Sequence, residues 1–443
     1  MNEANPFETQ SPLKSYLSIA MPVVFSMVIS VIYNIADTYF IAQTQSTQLV
    51  AGVSLCAPVF TILMAFGNIY GQGGTSLLSR LYGQQKIEDA RRVSSFCFYI
   101  ALLTGIVIGL LAIIFHSPLL YLLGADSETY SYAAPYFITM CAGAPFLVLS
   151  FIHMNLLRCE GMASYATIGS VSGLLVNIIL DPILILICGM GAFGAALASV
   201  IGYVCSDCFY LIIVLKKSRL ISVNPSLIRI PGEYISQVFG VGISAAVSNW
   251  MSSICLIITN HFLLTYGNDQ IAAMGIAQKV MMIVLLIATG LVFGSAPIVG
   301  YFYGGKQFDR LKSLLLLVIK IAGGVTLLLS VILFAAARPI IAMFLNDAAV
   351  ISAGVLMIRF QLITMIFAVA VLIFTVCFQA AGMGMEALIV SICRQGVIFL
   401  IVIFITSALF GYMGVITAQA ITDVITVLLT GLIFYRRLYS RLK

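Results

Sequence analysis

The sequence has very few charged side chains. Charged residues make up 9% of the 443 positions and hydrophobic residues 61%, whereas a soluble globular domain carries roughly 25% charged residues. A chain of this composition cannot be hydrated on all sides, which excludes a soluble protein and predicts that lipid surrounds it. The net charge of +6 does not require a nucleic-acid partner, because the positions of the basic residues have another explanation, given below.

Other signals are missing as well. The N-terminal residues 1–12 lack the basic region and cleavage site of a signal peptide, and no repeated filter-like loop indicates a channel. The ten cysteines are scattered through apolar segments, which predicts buried thiols rather than a disulfide framework. Three histidines occur without the spacing of a metal or catalytic cluster, so neither an enzyme nor a cofactor is predicted: His116, His153 and His261.

What the sequence does contain is an internal repeat. A shift of 221 residues places Leu81-Tyr82-Gly83 on Phe302-Tyr303-Gly304 and Gly73 on Gly294, and the shift becomes 220 near the end of each copy. The register holds over about 180 positions with no gap longer than one residue. The repeat predicts two homologous lobes.

Twelve apolar runs are long enough to cross a membrane, since a spanning helix needs about 20 apolar residues. Six belong to an N-lobe of residues 1–217 and six to a C-lobe of residues 232–443, and the polar stretch 218–231 is predicted to link them on the cytoplasmic side. The predicted fold is an all-α integral membrane protein with 12 transmembrane helices in two parallel, pseudo-symmetric six-helix lobes. The runs lie near residues 13–42, 50–79, 93–115, 129–157, 163–187, 192–215, 233–264, 270–301, 313–337, 350–378, 386–409 and 413–435.

The basic residues predict the orientation of these spans. Seventeen of the 22 fall on the side of the termini, one (Arg338) falls in the opposite loops, and four lie within spans. Because cytoplasmic loops carry the excess of Lys and Arg, both termini are predicted to be cytoplasmic. The predicted location is the bacterial cytoplasmic (inner) membrane, with the chain crossing it many times.

Acidic side chains inside spans are costly and therefore point to function. Asp37 lies roughly 8 Å inside the outer end of the first span, Asp181 roughly 9 Å inside the fifth and Ser199 roughly 10 Å inside the sixth. Tyr136 lies at a similar depth in the fourth span, and Asn177 shares a helix face with Asp181. The sequence therefore predicts that these five residues lie near one level in the outer half of the N-lobe.

Such a group of oxygen ligands suits a hard cation. Asp37, Asn177 and Asp181 offer carboxylate and amide oxygens to Na⁺, and two neighbouring carboxyl groups could instead share a proton. Pro182 adds a carbonyl acceptor, because it has no N–H to give to Ile178. The alternative is that each acid, like the intramembrane Asp207 and Asp423, only hydrogen-bonds a neighbouring helix.

The C-lobe does not repeat this group. Ile258, Ile398 and Val402 stand at the positions equivalent to Asp37, Asn177 and Asp181. Polar residues of the C-lobe spans are candidates for a substrate cavity, and Asp423 is a candidate partner of Arg394. The cavity candidates are Asn249, Lys279, Gln361, Arg394 and Asp423.

With these features the whole chain resembles the multidrug and toxic compound extrusion (MATE) family. The resemblance is carried by Pro22 followed fifteen residues later by Asp37, by Asn177-x-x-x-Asp181-Pro182, by Arg158-Cys-Glu-Gly161 and by the duplication. The pattern of acids is similar to that of the branch with DinF-like and MepA-like exporters. The acid pair that NorM-type members carry in the second lobe is not evident here.

The resemblance implies a multidrug antiporter. Two lobes would export organic cations and amphipathic drugs by alternating access, in exchange for H⁺ or Na⁺, and the first helix would bend at Pro22. It implies drug substrates and membrane lipid as partners, no nucleic acid, no cofactor beyond the coupling ion, and a monomer. The residues implied in cation coupling are Asp37, Asn177, Asp181, Tyr136 and Ser199.

A lipid or oligosaccharide flippase of the same broader superfamily is the alternative function. Such proteins handle anionic head groups, so a cationic cleft is expected of them. Lys279, Arg359 and Arg394 would all face the cleft in that case, whereas the acids of the N-lobe favour a cationic cargo.

Overall fold

The computed structural model describes residues 7, 11–44, 46–342 and 348–442, which form helices and no strand. The first repeat contains α1 Pro12–Ala42, α2 Thr47–Leu55, α3 Ala57–Gly83, α4 Ile87–Ile114, α5 His116–Leu122, α6 Ser127–Ala142, α7 Ala144–Cys159, α8 Ala163–Asp181 and α9 Gly191–Lys217. The second contains α10 Gly232–Leu264, α11 Asn268–Gly304, α12 Phe308–Ala335, α13 Ala337–Ala342, α14 Ala348–Ala380, α15 Gly384–Ile392, α16 Ile398–Phe410 and α17 Tyr412–Arg437.

By length and composition, the described residues provide eleven candidate membrane spans, and twelve if one bent pair of helices counts as a span. The bent pair is α6 and α7, which meet at 50° where one continuous fourth span was expected. Pro145 lies in the first turn of α7, and a proline there cannot donate to the preceding turn. Pro58 occupies the same position in α3, but α2 and α3 still form one candidate span, Gln48–Gly83. The all-α multi-span fold is confirmed, with one sharply bent span among the described residues.

The internal repeat is visible in the backbone. Three pairs of equivalent residues share a positive φ angle, which residues other than glycine rarely adopt. In the first pair neither residue is glycine, so the shared φ follows from the fold rather than from a permissive residue type. The pairs are Gln85 and Lys306 (φ 61° and 56°), Gly161 and Gly382 (80° and 79°), and Gly191 and Gly411 (53° and 55°).

Helix packing repeats as well. In the first repeat α7 packs against α3, α4 and α9, and α8 packs against α9. In the second repeat α14 packs against α11, α12 and α17, and α16 packs against α17. Each central helix therefore has the same three neighbours in its own repeat, which agrees with the sequence alignment at 221 residues.

The chain forms two compact units whose boundaries lie inside helices. The N-terminal unit is Phe25–Gly242, and the C-terminal unit is Met1–Val24 together with Ile243–Lys443. Residues up to Val24 in α1 thus pack with the second repeat, and residues up to Gly242 in α10 pack with the first.

Each of these helix segments, which pack with the other repeat, lies against a glycine, and the two glycines are equivalent in the repeats. In the N-terminal unit, a Cβ on Gly73 would lie 2.1 Å from the carbonyl oxygen of Val238 in α10. In the C-terminal unit, a Cβ on Gly294 would lie 2.5 Å from the Cα atom of Ala20 in α1. The two backbones approach so closely in each unit that no larger residue fits without a shift.

The beginning of the linker is bound to the N-terminal unit. Glu160 follows α7, and its carboxylate accepts hydrogen bonds from the Ser218 hydroxyl and from the next two backbone N–H groups. Burial raises the pKa of the Glu160 carboxyl above its ordinary value, and these hydrogen bonds oppose the effect. The hydroxyls of Ser95 and Tyr99 donate to the carbonyls of Ser222 and the residue after it. The Arg158-Cys-Glu-Gly161 motif therefore contributes to anchoring the linker.

Candidate functional site

Polar side chains from four helices of the N-terminal unit come together in what we call the acidic site. It includes all five residues that the sequence predicted at one depth, and it adds two tyrosines, one from α1 and one from α9. Its members are Tyr33, Asp37, Tyr136, Asn177, Asp181, Ser199 and Tyr203.

Close packing of α8 on α9 positions part of this site. A Cβ on Gly173 would lie 2.0 Å from the Ser206 hydroxyl and 2.5 Å from the carbonyl oxygen of Gly202. One turn beyond this contact, the Asn177 amide nitrogen donates to the Ser199 hydroxyl at 3.1 Å. The glycines therefore bring the polar face of α8 against α9.

The end of α8 places the second carboxyl group. The helix ends at Asp181, and Pro182–Ile187 form a π-helical turn. Pro182 cannot donate a backbone hydrogen bond to the preceding turn, which accounts for the interruption of the regular helix at this point. Turns of this type occur frequently at functional sites.

The two acids lie next to each other. The carboxyl groups of Asp37 and Asp181 are close enough to share a hydrogen bond when one is protonated. Tyr136 is within electrostatic range of both acids, and the Tyr33 hydroxyl is 3.5 Å from that of Ser199. Two negative charges this close in a water-poor site repel each other strongly.

The site is rich in acceptors that lack donors. Asp181 is fully buried and Asn177 is 2% exposed. Among the described residues, both carboxyl oxygens of Asp181 and the amide oxygen of Asn177 have no hydrogen-bond partner. Buried acceptors without partners are unfavourable, so a proton or a small cation in contact with them would stabilise the site.

The C-terminal unit holds a second polar group, which we call the paired site. Arg394 Nε donates to Asp423 Oδ1 at 2.8 Å, and the Gln419 amide donates to the same oxygen at 3.2 Å. The Cys255 thiol donates to the Gln419 carbonyl oxygen at 3.3 Å. Arg394 stands in a π-helical turn, Cys393–Val397. The anticipated contact between Arg394 and Asp423 is therefore present.

The other cavity candidates have different surroundings. The Gln361 amide donates to the Met274 sulfur at 3.4 Å, and the side chains of Asn249 and Lys279 are exposed. The guanidinium group of Arg359 lies 4.8 Å from the centre of the Phe334 ring, a distance typical of a cation–π contact.

Sequence reasoning missed the two tyrosines of the acidic site. Tyr33 precedes Asp37 by four residues, and Tyr203 follows Ser199 by four. That spacing puts each tyrosine on the same helix face as a predicted site residue, so the signal was present in the sequence.

Known proteins resemble this chain in sequence over nearly its full length. The multidrug export protein MepA of Staphylococcus saprophyticus subsp. saprophyticus is 32% identical over 97% of this chain and 95% of its own length. MepA of Staphylococcus aureus strain MRSA252 gives the same identity and coverage. The MatE family model matches twice, at residues 22–183 and 244–405, which are the two copies of the repeat.

Solved structures share the fold. An outward-facing multidrug resistance MATE family transporter of the MOP superfamily superposes with a TM-score of 0.92 and 24% identity, over 100% of this chain and 99% of its own. A MOP superfamily transporter from Pyrococcus furiosus, described as having a binding pocket of reversed polarity, gives the same values. These relatives are transporters, which confirms the prediction that the protein is not an enzyme. The two family matches and the full-length relatives show that this chain belongs to the MatE family of membrane transporters.

Proposed function

We propose that this protein exports organic cations and amphipathic drugs across a bacterial cytoplasmic membrane, in exchange for a coupling cation. The relatives at 32% identity are named multidrug export proteins, which supports the substrate class. The coupling cation, H⁺ or Na⁺, binds at the acidic site. Both termini lie in the cytoplasm, in keeping with the distribution of basic residues.

One observation carries this proposal: the buried acceptors of the acidic site outnumber the donors around them. Asp181 and Asn177 together leave three oxygens without a partner among the described residues, and Asp37 adds a second carboxyl group beside them. A site of this kind favours a positive species. The proton and Na⁺ both satisfy it, because the proton can be shared by the carboxyl groups and Na⁺ binds carboxylate and amide oxygens.

Exchange follows from competition for the same negative charge. A cationic drug is attracted while Asp37 and Asp181 are ionised, and that attraction falls when a coupling cation neutralises them. The competition is reciprocal, because a drug that weakens cation binding is itself weakened by the cation to the same extent. If the site opens alternately to the two sides of the membrane, this competition links drug efflux to cation entry.

Drug flux in reconstituted vesicles tests the proposal. Sodium and pH gradients are imposed separately on proteoliposomes containing the full chain, its Asp37→Asn variant or its Asp309→Asn variant. The Asp309 side chain is exposed, so that variant is a matched control for the loss of one carboxylate. We expect Asp37→Asn to lower gradient-driven efflux at least about tenfold, since hydrogen bonds to a charged group contribute roughly 1.5–3 kcal/mol. Gradient-driven efflux at the wild-type rate from correctly inserted Asp37→Asn protein would contradict the assignment.

Pro22 is the proposed bend of the first helix. It lies inside α1, two residues before the chain passes from one compact unit to the other. We expect Pro22→Ala to slow the transport cycle while drug binding stays near normal, because the restored N–H would stiffen α1. Binding and flux are measured on the same preparation. Equal losses of drug binding and flux would assign Pro22 to the stability of the fold instead.

The flippase alternative is not favoured by the charges of the C-terminal unit. Arg394 is neutralised by Asp423, and Arg359 lies against an aromatic ring. All members of the acidic site come from one chain, so we propose that a monomer is sufficient for transport.

A further inference from the structure

A second buried acid in the N-terminal unit is absent from the mechanism above. Asp207 lies in α9, and its carboxyl oxygen Oδ1 accepts a hydrogen bond from the Ser150 hydroxyl at 2.8 Å. The same oxygen is 3.8 Å from Nδ1 of His153 in α7. The side chains of His153 and Asp207 are 1% and 5% exposed. An acid and an imidazole are thus enclosed together within one unit.

The pair is incompletely satisfied. Both ring nitrogens of His153 and the second oxygen of Asp207 have no hydrogen-bond partner among the described residues. Buried polar atoms that serve only to hold a fold are nearly always hydrogen-bonded. Moreover, 3.8 Å is too long for a hydrogen bond between the two groups. The arrangement leaves room for a proton to be gained or lost without breaking an existing contact of His153.

The surroundings contain a small number of other titratable groups. From α9, Tyr210 lies beside both members of the pair, with its ring centre 6.1 Å from that of His153. From α7, Arg158 lies near Tyr210, and from α4 the Phe98 ring covers the imidazole at 5.5 Å. Within the described part of the chain, these contacts place no second carboxylate against His153, so Asp207 is the acid that responds to its charge.

A polar helix face connects the pair to the acidic site. Ser199, Tyr203 and Asp207 are spaced four residues apart along α9 and therefore lie on one face. Tyr203 is within electrostatic range of Asp37, and the Ser150 hydroxyl that donates to Asp207 is 3.4 Å from the Tyr203 carbonyl oxygen. Asp207 stands roughly 12 Å along the helix from Ser199, towards the end of α9 that enters the linker.

We propose that His153 and Asp207 form a second proton-binding site, through which protons taken up at the acidic site pass towards the cytoplasm. The inference rests on the proposed antiport and assigns the proton as a coupling ion. Over the whole transfer, an oxygen of the acidic site loses a proton and the Asp207 carboxylate or the neutral His153 ring gains one; because roughly 12 Å of α9 separates Ser199 from Asp207, the proton moves by relay along this polar helix face and not in one step. One O–H bond is broken and one O–H or N–H bond is formed, with no oxidation or reduction.

The protonation of His153 can be measured directly, because the chain has three histidines. In a His116→Gln/His261→Gln variant labelled with ¹⁵N-histidine, the imidazole signals come from His153 alone. We expect these signals to report the gain of a proton by the ring when the sample is taken from about pH 8 to about pH 5. Asp207→Asn should shift the midpoint of that titration. A ring that keeps one protonation state over the whole range would overturn the proposal.

Transport supplies the second readout. In proteoliposomes with a pH gradient, we expect His153→Gln and Asp207→Asn to shift the pH profile of drug efflux, whereas His261→Gln, which removes an exposed histidine outside this pair, should leave the profile in place. Identical profiles in wild-type and His153→Gln protein would contradict the assigned role.

The two proposals fail in different ways. Efflux that follows the sodium gradient alone would overturn the assigned proton route but leave the antiport intact. Absence of efflux under either gradient would overturn the antiport and with it the route, while the titration would still show whether the pair binds a proton.

Discussion

The acidic site and the paired site occupy corresponding helices of the two repeats but solve the problem of a buried acid differently. At the 220 offset, Ser199 corresponds to Gln419 and Tyr203 to Asp423. In the second repeat, Arg394 and Gln419 both donate to Asp423. In the first, Asp181 has no donor among the described residues. One acid has its counter-ion built into the protein, and the other does not.

The comparison distinguishes an acid whose counter-ion belongs to the protein from an acid whose counter-ion must come from solution. A built-in counter-ion cannot leave, so the paired site is suited to holding the C-terminal unit together. An acid without a counter-ion in the protein takes one from solution, and an ion bound in this way can be released again. The acidic site is therefore suited to exchanging a cation. The two repeats therefore share one helical frame but differ at several polar positions, since the second repeat lacks the equivalents of Asp37, Asn177 and Asp181 and carries Arg394 and Asp423 instead.

Removing the built-in counter-ion should have the largest effect on stability. We expect Arg394→Ala to lower the free energy of unfolding by about 3 kcal/mol, because it leaves the Asp423 carboxylate buried without its charge partner. Thermal unfolding in detergent measures the loss. The double variant Arg394→Met/Asp423→Leu, which removes both charges, is the control and should recover most of the stability. An unchanged midpoint for Arg394→Ala would mean that the pair contributes nothing.

Neutralising Asp181 in the first repeat should not lower the stability of the protein. We expect Asp181→Asn to leave the unfolding midpoint unchanged or raise it, since it removes a buried charge without a partner. Gradient-driven efflux should nevertheless fall at least about tenfold. Asp423→Asn, tested beside it, should instead lower the midpoint. If both substitutions destabilised the protein equally, the contrast between the two sites would disappear.

The helix segments that pack with the other repeat offer a smaller test of symmetry. Alanine at Gly73 or at Gly294 forces a backbone shift, and overpacking of this kind costs about 1–3 kcal/mol. We expect both substitutions to lower the unfolding midpoint by similar amounts. Gly323→Ala is the control, because a Cβ there meets no atom within 4 Å. Destabilisation by only one of the two would show that the repeats do not share this contact.

The smallest expected effect concerns the left-handed pair Gln85 and Lys306. Glycine relieves the strain of a side chain at positive φ, although part of that gain is offset by the greater freedom of glycine in the unfolded chain. We expect Gln85→Gly and Lys306→Gly each to stabilise the protein by about 0.5 kcal/mol. Thermal unfolding of the two variants should give shifts of the same sign, and opposite signs would contradict the shared backbone.

Much of the fold follows from the sequence because composition and periodicity are global signals. The apolar runs gave the spans, and the 221-residue register located residues whose backbones match in both repeats, such as Gly161 and Gly382. The breaks at Cys56 and Gly143 were not predicted. A proline within an apolar run permits a helix to continue with a kink or to stop, and the surrounding packing decides between these outcomes.

The sequence predicted the depth of the acidic site in the membrane but not all of its residues. Depth along a span placed Asp37 near Asp181, since all spans share one membrane. Rotation of each helix about its axis is set by packing, such as the Gly173 contact with α9, and it decided that Tyr203 joins the site. For the same reason the sequence did not indicate that His153 lies next to Asp207. The two residues belong to different helices, α7 and α9, so no spacing along either helix relates them.

The contact of α1 with α11 also constrains how the protein is made. The Tyr16 hydroxyl donates to the carbonyl of Leu291, 275 residues further along the chain. At about 5–20 residues per second, the ribosome needs roughly a quarter of a minute to a minute to synthesise that partner. The start of the first helix therefore lacks this packing partner until more than half of the protein has been synthesised. A chain released after Gly242 would contain Tyr16 but not Leu291, so this contact could not form.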